Sequence, residues 1–263
     1  MQLQQHLAEF EAAGVAVYAV SYDSAEVLSA FAEEFGITYP LLSDPGSEVI
    51  RRFGILNTLV RPDEDVYGIP YPGVYLTDEA GLVAEKSFYR QYRVRPATRS
   101  LLKDGFGVAL TPEVGPAAES RAPGIHVTAA LGQDALVFQQ RVPLYITFDL
   151  EPGLHIYAPN AGGGMLGTTI EVVGPQGIDV GEPVFPTAHP YRLDGATEDL
   201  PVLDGLIEVN VPLISTSVEV DPITLKVVVT YQACDERQCF LPQTQRLSLM
   251  VPRKGLNRPR PRS

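Results

Sequence analysis

The spacing of apolar and polar positions changes once along the chain, near residue 110. Before that point helical spacing alternates with short apolar runs. Leu3, Leu7 and Phe10 fall on one face of an opening helix that Gly14 ends. Val15-Ala-Val-Tyr-Ala-Val20 follows, a short apolar run of the kind seen in a buried parallel strand. Asp23 is placed to cap a second helix, with Glu26 three residues on as its capping-box partner. That helix has an inner face of Val27, Phe31 and Phe35 and stops at Gly36. Ile37 to Leu42 reads as extended. Asp44-Pro45 opens a short helix, with Pro45 at its first position and Gly54 at its end. Val74 to Thr77 and Leu82 to Phe88 predict a hairpin, and Pro96 to Lys103 a last helix closed by Gly105. Helices alternating with strands predict an α/β layered domain over residues 1–110.

Residues 111–124, rich in Pro, Ala and Gly, read as a linker. From 125 to 252 the pattern is all-β. Leu144, Ile146, Phe148 and Leu150 alternate with Tyr145, Thr147 and Asp149, which predicts a half-buried strand. Thr168 to Val173, Ile207 to Leu213, Ile223 to Thr230 and Thr244 to Val251 are further extended pieces. Turn signals such as Glu151-Pro-Gly153 separate them, and the spacing predicts a sandwich. The basic, Pro-rich tail, residues 253–263, reads as disordered.

The two cysteines of the chain, Cys234 and Cys239, lie between the last two strands. A hairpin with Asp235 to Gln238 at its tip sets them opposite each other. Opposed Cα atoms are roughly 4.5 or 5.5 Å apart, and a disulfide accepts about 4.4–6.8 Å, so the pair can close. Carrying that pairing into the strands is unfavourable, because it puts Val227 opposite Arg246 and turns Leu247 and Leu249 to the face of Lys226. A one-residue shift cures this, which predicts a bulge near Pro242. Such a pair can be an inert staple, a pair of reduced thiols that never react, or an exchanging dithiol. The loop it closes is very short, so its effect on stability is small. An accessible tip favours exchange. Arg237 favours a thiolate there, whereas Asp235 and Glu236 oppose one.

Composition narrows the classes. The chain has 263 residues, a formal net charge of −12 and 45% hydrophobic residues. That is room for two domains with real cores, and the charge argues against nucleic-acid binding. No apolar run reaches membrane-span length. The sequence beginning Met-Gln-Leu-Gln-Gln-His lacks the basic-then-apolar pattern of an export signal. Gly162-Gly-Gly-Met-Leu-Gly167 lacks the Lys-Ser/Thr ending of a phosphate loop and reads as a flexible loop. His155 and His189 lack a ligand spacing, so neither a metal nor a cofactor is expected.

Two resemblances bear on function. Gly14-Val-Ala-Val-Tyr-Ala-Val-Ser-Tyr-Asp-Ser24, Tyr39-Pro-Leu-Leu-Ser-Asp-Pro45, Arg52-Phe-Gly-Ile55 and Tyr71-Pro-Gly-Val-Tyr-Leu-Thr-Asp78 resemble the AhpC/TSA branch of the thioredoxin-like superfamily. This implies an incomplete thioredoxin-like α/β domain over residues 1–110. It also implies a cis bond before Pro72 and a partner-binding role for that residue. The reactive Cys of that superfamily precedes the helix with which this sequence opens, and residues 1–110 contain none. Peroxidase chemistry would need a Cys from upstream, and without its central strand the sheet would be partly exposed. The stretch Tyr231-Gln-Ala-Cys-(four residues)-Cys-Phe-Leu-Pro-Gln-Thr244, with Leu154-His-Ile-Tyr157 and Ile207-Glu-Val-Asn-Val-Pro-Leu213, resembles the amino-terminal domain of the DsbD thiol:disulfide interchange protein. That resemblance implies an immunoglobulin-like sandwich and electron transfer through Cys234 and Cys239 to partners of thioredoxin-like fold. It further implies an aromatic cap within Phe185 to Glu198, centred on Tyr191, a partner contact at Phe240 and a periplasmic setting. The other expectation is a non-catalytic binding module with a structural hairpin disulfide and a degenerate thioredoxin-like half.

Overall fold

The computed structural model describes residues 2–88, 94–108, 115–192 and 199–255. The chain divides into two units between Leu110 and Thr111.

In the first unit, α1 (Gln2–Gln5) and α2 (Leu7–Ala12) form the opening helix, interrupted at His6. Phe10 is buried against Leu101 and Leu102. β1 (Ala19–Ser21) pairs in parallel with β2 (Leu41–Ser43). The apolar run from Val15 to Val20 therefore becomes a strand only at its end. That strand is not buried, and Tyr18 and Val20 stand exposed. β1 has one strand neighbour among the described residues. Helix α3 (Ala25–Phe35) is capped by Ser24, whose hydroxyl accepts from Val27 N–H at 3.4 Å, and not by Asp23. Its buried residue is Leu28, whereas Val27 and Phe31 are exposed, so the inner face is turned from the one expected. Gly36 ends the helix at φ 63°. Asp44 starts α4 (Glu48–Arg52) at a distance: its carboxylate accepts from Glu48 N–H at 3.0 Å and Ile50 N–H at 2.9 Å. Pro45 thus precedes the helix instead of opening it.

β3 (Gly73–Thr77) and β4 (Val83–Phe88) form the expected hairpin. β5 (Arg95–Pro96), α5 (Thr98–Ser100) and a π-helical turn (Leu101–Gly105) complete the unit. This mixed α/β topology is consistent with a thioredoxin-like fold, although β1–β2 and β3–β4 are separate pairs among the described residues. No peptide bond of the described residues is cis, which corrects the expectation at Pro72. A trans X-Pro bond is favoured by about 0.5–1 kcal/mol where packing makes no contrary demand. Here the chain is held on both sides of the bond: Tyr71 N–H donates to Ile55 O at 2.6 Å, and Phe88 packs over Gly73 where a Cβ would collide.

The second unit is almost wholly β. β6 (Ala117–Ala122) lies inside the stretch that composition assigned to a linker and pairs with β7 (Ile125–Leu131). Pro123 and Gly124, which read as linker residues, are the two-residue turn of this hairpin, with Gly124 at φ 72°. After β8 (Leu136–Val137) come β9 (Gln140–Leu150), β10 (His155–Tyr157), β11 (Thr169–Val173) and β12 (Ile178–Val180). They are followed by β13 (His189–Tyr191), β14 (Leu200–Asp204), β15 (Leu206–Ser215) and β16 (Ile223–Tyr231). β17 (Ala233–Cys234), β18 (Gln243–Val251) and β19 (Arg253–Lys254) end the unit. β19 takes the first residues of the expected disordered tail, because Arg253 is buried and its Nε donates to Asp221 O at 2.6 Å. Residues 256–263 lie outside the described residues.

The strands form groups ordered β12-β15-β9-β7-β6, β11-β16-β18 and β13-β14-β10-β17, with β8 and β19 paired in parallel. They curl around one core but do not close into the immunoglobulin-like sandwich that was expected. The chain leaves the β16–β18 sheet at Gln232 and enters another at Ala233, so the second layer is split. The alternation in β9 is realised in full: Leu144, Ile146, Phe148 and Leu150 are buried with Leu225, Val227, Leu247 and Leu249. Phe148 meets Tyr231 edge-on at a centroid distance of 5.9 Å. Phe148→Ala should lower stability by about 3–5 kcal/mol, measured as a shift of the urea unfolding curve. An unchanged curve would mean that this core does not hold the unit together.

Candidate thiol–disulfide site

Cys234 and Cys239 are joined by a disulfide, with Cα atoms 4.0 Å apart. Asp235 N–H donates to Gln238 O at 3.0 Å and Phe240 N–H to Ala233 O at 2.8 Å. These bonds flank the pair, which makes it a non-hydrogen-bonded pair, the closer of the two antiparallel spacings. The tip is fixed by Asp235, whose Oδ1 accepts from Arg237 N–H at 2.7 Å and Gln238 N–H at 2.8 Å. Those two amides hold the Asp235 carboxyl below its ordinary pKa.

The predicted register shift is present. Tyr231 pairs with Gln243 and Val227 with Leu247, whereas Cys234 pairs with Cys239. Two residues separate the pairs on one strand, Gln232 and Ala233, and three on the other, Phe240 to Pro242. The extra residue falls at Leu241-Pro242, where Leu241 is 85% exposed. Gln232 fixes the crossover. Its Nε2 donates to Phe240 O at 3.1 Å, and its Oε1 accepts from Leu166 N–H at 3.2 Å.

Beyond Gln232 the hairpin joins β10. His155 pairs with Cys234 on one side and with Asp204 on the other. Directly opposed residues share a face, and so do residues two apart. One face of this sheet therefore carries Cys234, His155, Tyr157, Asp204, His189 and Tyr191. The opposite face, with Ile156, Leu203 and Ala233, belongs to the main core. Tyr157, Cys234, Leu200 and Val202 are buried together, and Met165, Tyr191 and Cys239 pack against them. Met165 is carried in by the glycine run, where Gly162, Gly163 and Gly164 all take positive φ.

Cys234 is 0% exposed, whereas Cys239 is partly exposed. The Tyr157 hydroxyl lies 3.4 Å from each sulfur. Disulfide sulfur carries no proton, so the hydroxyl is the donor. Burial, with a smaller contribution from Tyr191, raises the Tyr157 pKa and keeps that proton in place. His155 is buried, and its Nε2 has no hydrogen-bond partner. Its ring lies against Tyr191 at a centroid distance of 4.3 Å, tilted by 44°, and meets Tyr157 edge-on at 5.9 Å. Burial pushes its pKa down, against the opposing field of Asp204.

Of the site residues expected from sequence, Cys234, Cys239 and Tyr191 come together here. Phe240 is half-buried and packs against the main core. Pro72 is half-buried in the first unit. The expected cap falls partly on residues 193–198, outside the described residues. Tyr157 and the role of His155 were missed. The signal was the alternation in Leu154-His-Ile-Tyr157, which puts His155 and Tyr157 on one face of a strand.

Asp235→Ala should speed hydrogen exchange at the Arg237 and Gln238 amides, with Asp235→Asn keeping most of the protection. Equal protection in all three proteins would remove Asp235 from the tip's support. The His155 shift also has a sign. A base whose native pKa is lowered leaves the unfolded state binding more protons. Its contribution is fully present above the ordinary value of 6.5 and is lost as pH falls from there to the lowered native value. Urea midpoints should therefore fall with pH across that window, and His155→Phe should flatten the fall.

Two family models match the chain. The AhpC/TSA family matches residues 1–86, and the N-terminal model of the thiol:disulfide interchange protein DsbD matches residues 126–250. Two Mycobacterium tuberculosis proteins carrying a peroxiredoxin name, Rv2521 and MT2597, are 33% identical over 96 residues, 35% of this chain and 55% of each relative. The chain thus spans about half the length of the curated relatives it matches. Among solved structures, the N-terminal periplasmic domain of ScsB from Proteus mirabilis overlaps 50% of this chain and 49% of its own, at 17% identity and a TM-score of 0.37. The reduced DsbD N-terminal domain of Neisseria meningitidis overlaps 54% and 90%, at 20% identity and a TM-score of 0.30. The chain joins an AhpC/TSA-like segment to a domain like the N-terminal domain of the thiol:disulfide interchange protein DsbD.

Proposed function

We propose that the second unit docks partner proteins at the Cys234–Cys239 hairpin tip and exchanges its disulfide with their thiols. One observation carries the exchange step: a buried sulfur and a partly exposed one share a single hydroxyl donor, Tyr157, at 3.4 Å. Cys239 is the sulfur a partner can reach. A partner thiolate attacking it displaces Cys234, and in reverse the Cys239 thiolate attacks a partner disulfide. The DsbD-like match supports partners of thioredoxin-like fold and a periplasmic setting. The AhpC/TSA-like half is then a fused docking platform, with Pro72 among its contact residues.

The second reading keeps the docking and drops the exchange: a protein-binding module whose hairpin disulfide is a fixed staple. It has specific support, because Cys234 is wholly buried. A fold-level likeness does not establish chemistry at a site.

Equilibration in glutathione or dithiothreitol buffers separates the two. Exchange should give a potential within about −120 to −270 mV, the range of known exchange proteins. A staple should lie below about −300 mV. Cys234→Ser should leave Cys239 to trap a mixed disulfide with a thioredoxin-fold protein, and Cys239→Ser should trap far less. Equal failure of both variants, together with a staple-range potential, would sink the exchange reading.

A further inference from the structure

Opening the disulfide at Cys239 leaves a charge where the fold has little to meet it. The Cys234 sulfur is buried, and an unpaired ion in such a place is costly. Arg237 is exposed at the tip, beside Asp235. His189 is exposed and bonded to Asp204 at 3.0 Å. His155 stands directly opposite Cys234 across the β10–β17 ladder, on the same face. Its Nε2 is buried and without a partner. A buried polar atom left unsatisfied calls for an explanation.

We propose that His155 is a positioning residue for Cys234, its imidazole becoming protonated as the disulfide opens and pairing with the Cys234 thiolate. The role rests on the exchange reading, and the pairing can be measured without it. The step balances. The partner's thiolate bonds to Cys239 Sγ, the Cys239–Cys234 bond breaks, and its electron pair stays on Cys234. His155 takes one proton from solvent, so the buried site gains no net charge. The Tyr157 hydroxyl, shared between two sulfurs in the disulfide, is then free to donate to Cys234 alone. In the disulfide form burial keeps His155 neutral. The groups facing it are Asp204 and His189, Tyr157 and Tyr191, Cys234, and Asp235 at the tip. Of these, Cys234 is the group whose charge changes with redox state.

Two readouts test this on the full chain. The first is the thiolate ultraviolet absorbance of reduced protein carrying Cys239→Ser, titrated with and without His155→Gln or His155→Phe. Loss of His155 should cut the Cys234 thiolate fraction at neutral pH about tenfold, the effect of one pH unit. The second is a nuclear magnetic resonance titration of the His155 ring protons, which needs no variant. Its midpoint should rise when the disulfide is reduced. Equal midpoints in the two redox states, or a Cys234 curve that neither substitution moves in folded protein, overturns the inference. A staple-range potential with the coupling intact would instead refute exchange and leave the His155–Cys234 pair standing. An exchange-range potential with no coupling would refute this inference alone.

Discussion

The second unit depends on one extra residue. Val227 meets Leu247 in the β16–β18 ladder, and Cys234 meets Cys239 three positions beyond its end, one residue out of step. Before the bulge Phe240 points toward the core; after it Gln245, Leu247, Leu249 and Val251 do. A slip of one residue reverses every side chain of a strand. Without the insertion at Leu241-Pro242, either the leucines of β18 would face solvent or Cys239 would turn into the core. The bulge lets one hairpin serve two faces, an apolar one beneath and a thiol one above.

That arrangement explains why Cys234 and Tyr157 are shielded from solvent. The sheet β13-β14-β10-β17 has its inner face in the main core, so its outer face carries the disulfide. Tyr191, Met165 and Leu200 cover that face around the sulfurs. Burial then acts on each polar group in its own direction. It keeps Tyr157 protonated, discourages charge on His155, and leaves Cys234 without water. The tip differs, since the Asp235 charge is held by backbone amides. Hydrogen bonding sets the charge at the tip, and desolvation acts on the sheet face beside it.

The first unit has a different constraint. Its parallel pair β1–β2 and its hairpin β3–β4 stay separate among the described residues, and Val20 of β1 stands exposed. The AhpC/TSA-like match covers this segment, while the cysteines lie in the DsbD-like domain. The AhpC/TSA-like match and the disulfide therefore sit in different parts of the chain.

Sequence alone determined what depends on near neighbours. The two-residue period of β9 fixed its buried face, Gly36 fixed a helix end, and the clash of Val227 with Arg246 forced a bulge near Pro242. That the two cysteines face each other followed too, because four tip residues set them opposite; the bond between them is a finding of the structure. Local pattern failed where a distant contact had the deciding energy. Pro123-Gly124 was linker by composition and became a turn once β6 found β7. Arg253 left the tail because Asp221 and Glu219 receive its guanidinium. Val27 and Phe31 were read as buried, but packing chose Leu28. The site itself was half legible. Two cysteines can be counted in a sequence, but that Tyr157 reaches both sulfurs and His155 faces Cys234 depends on strands nearly eighty residues apart. Only the folded sheet brings those together.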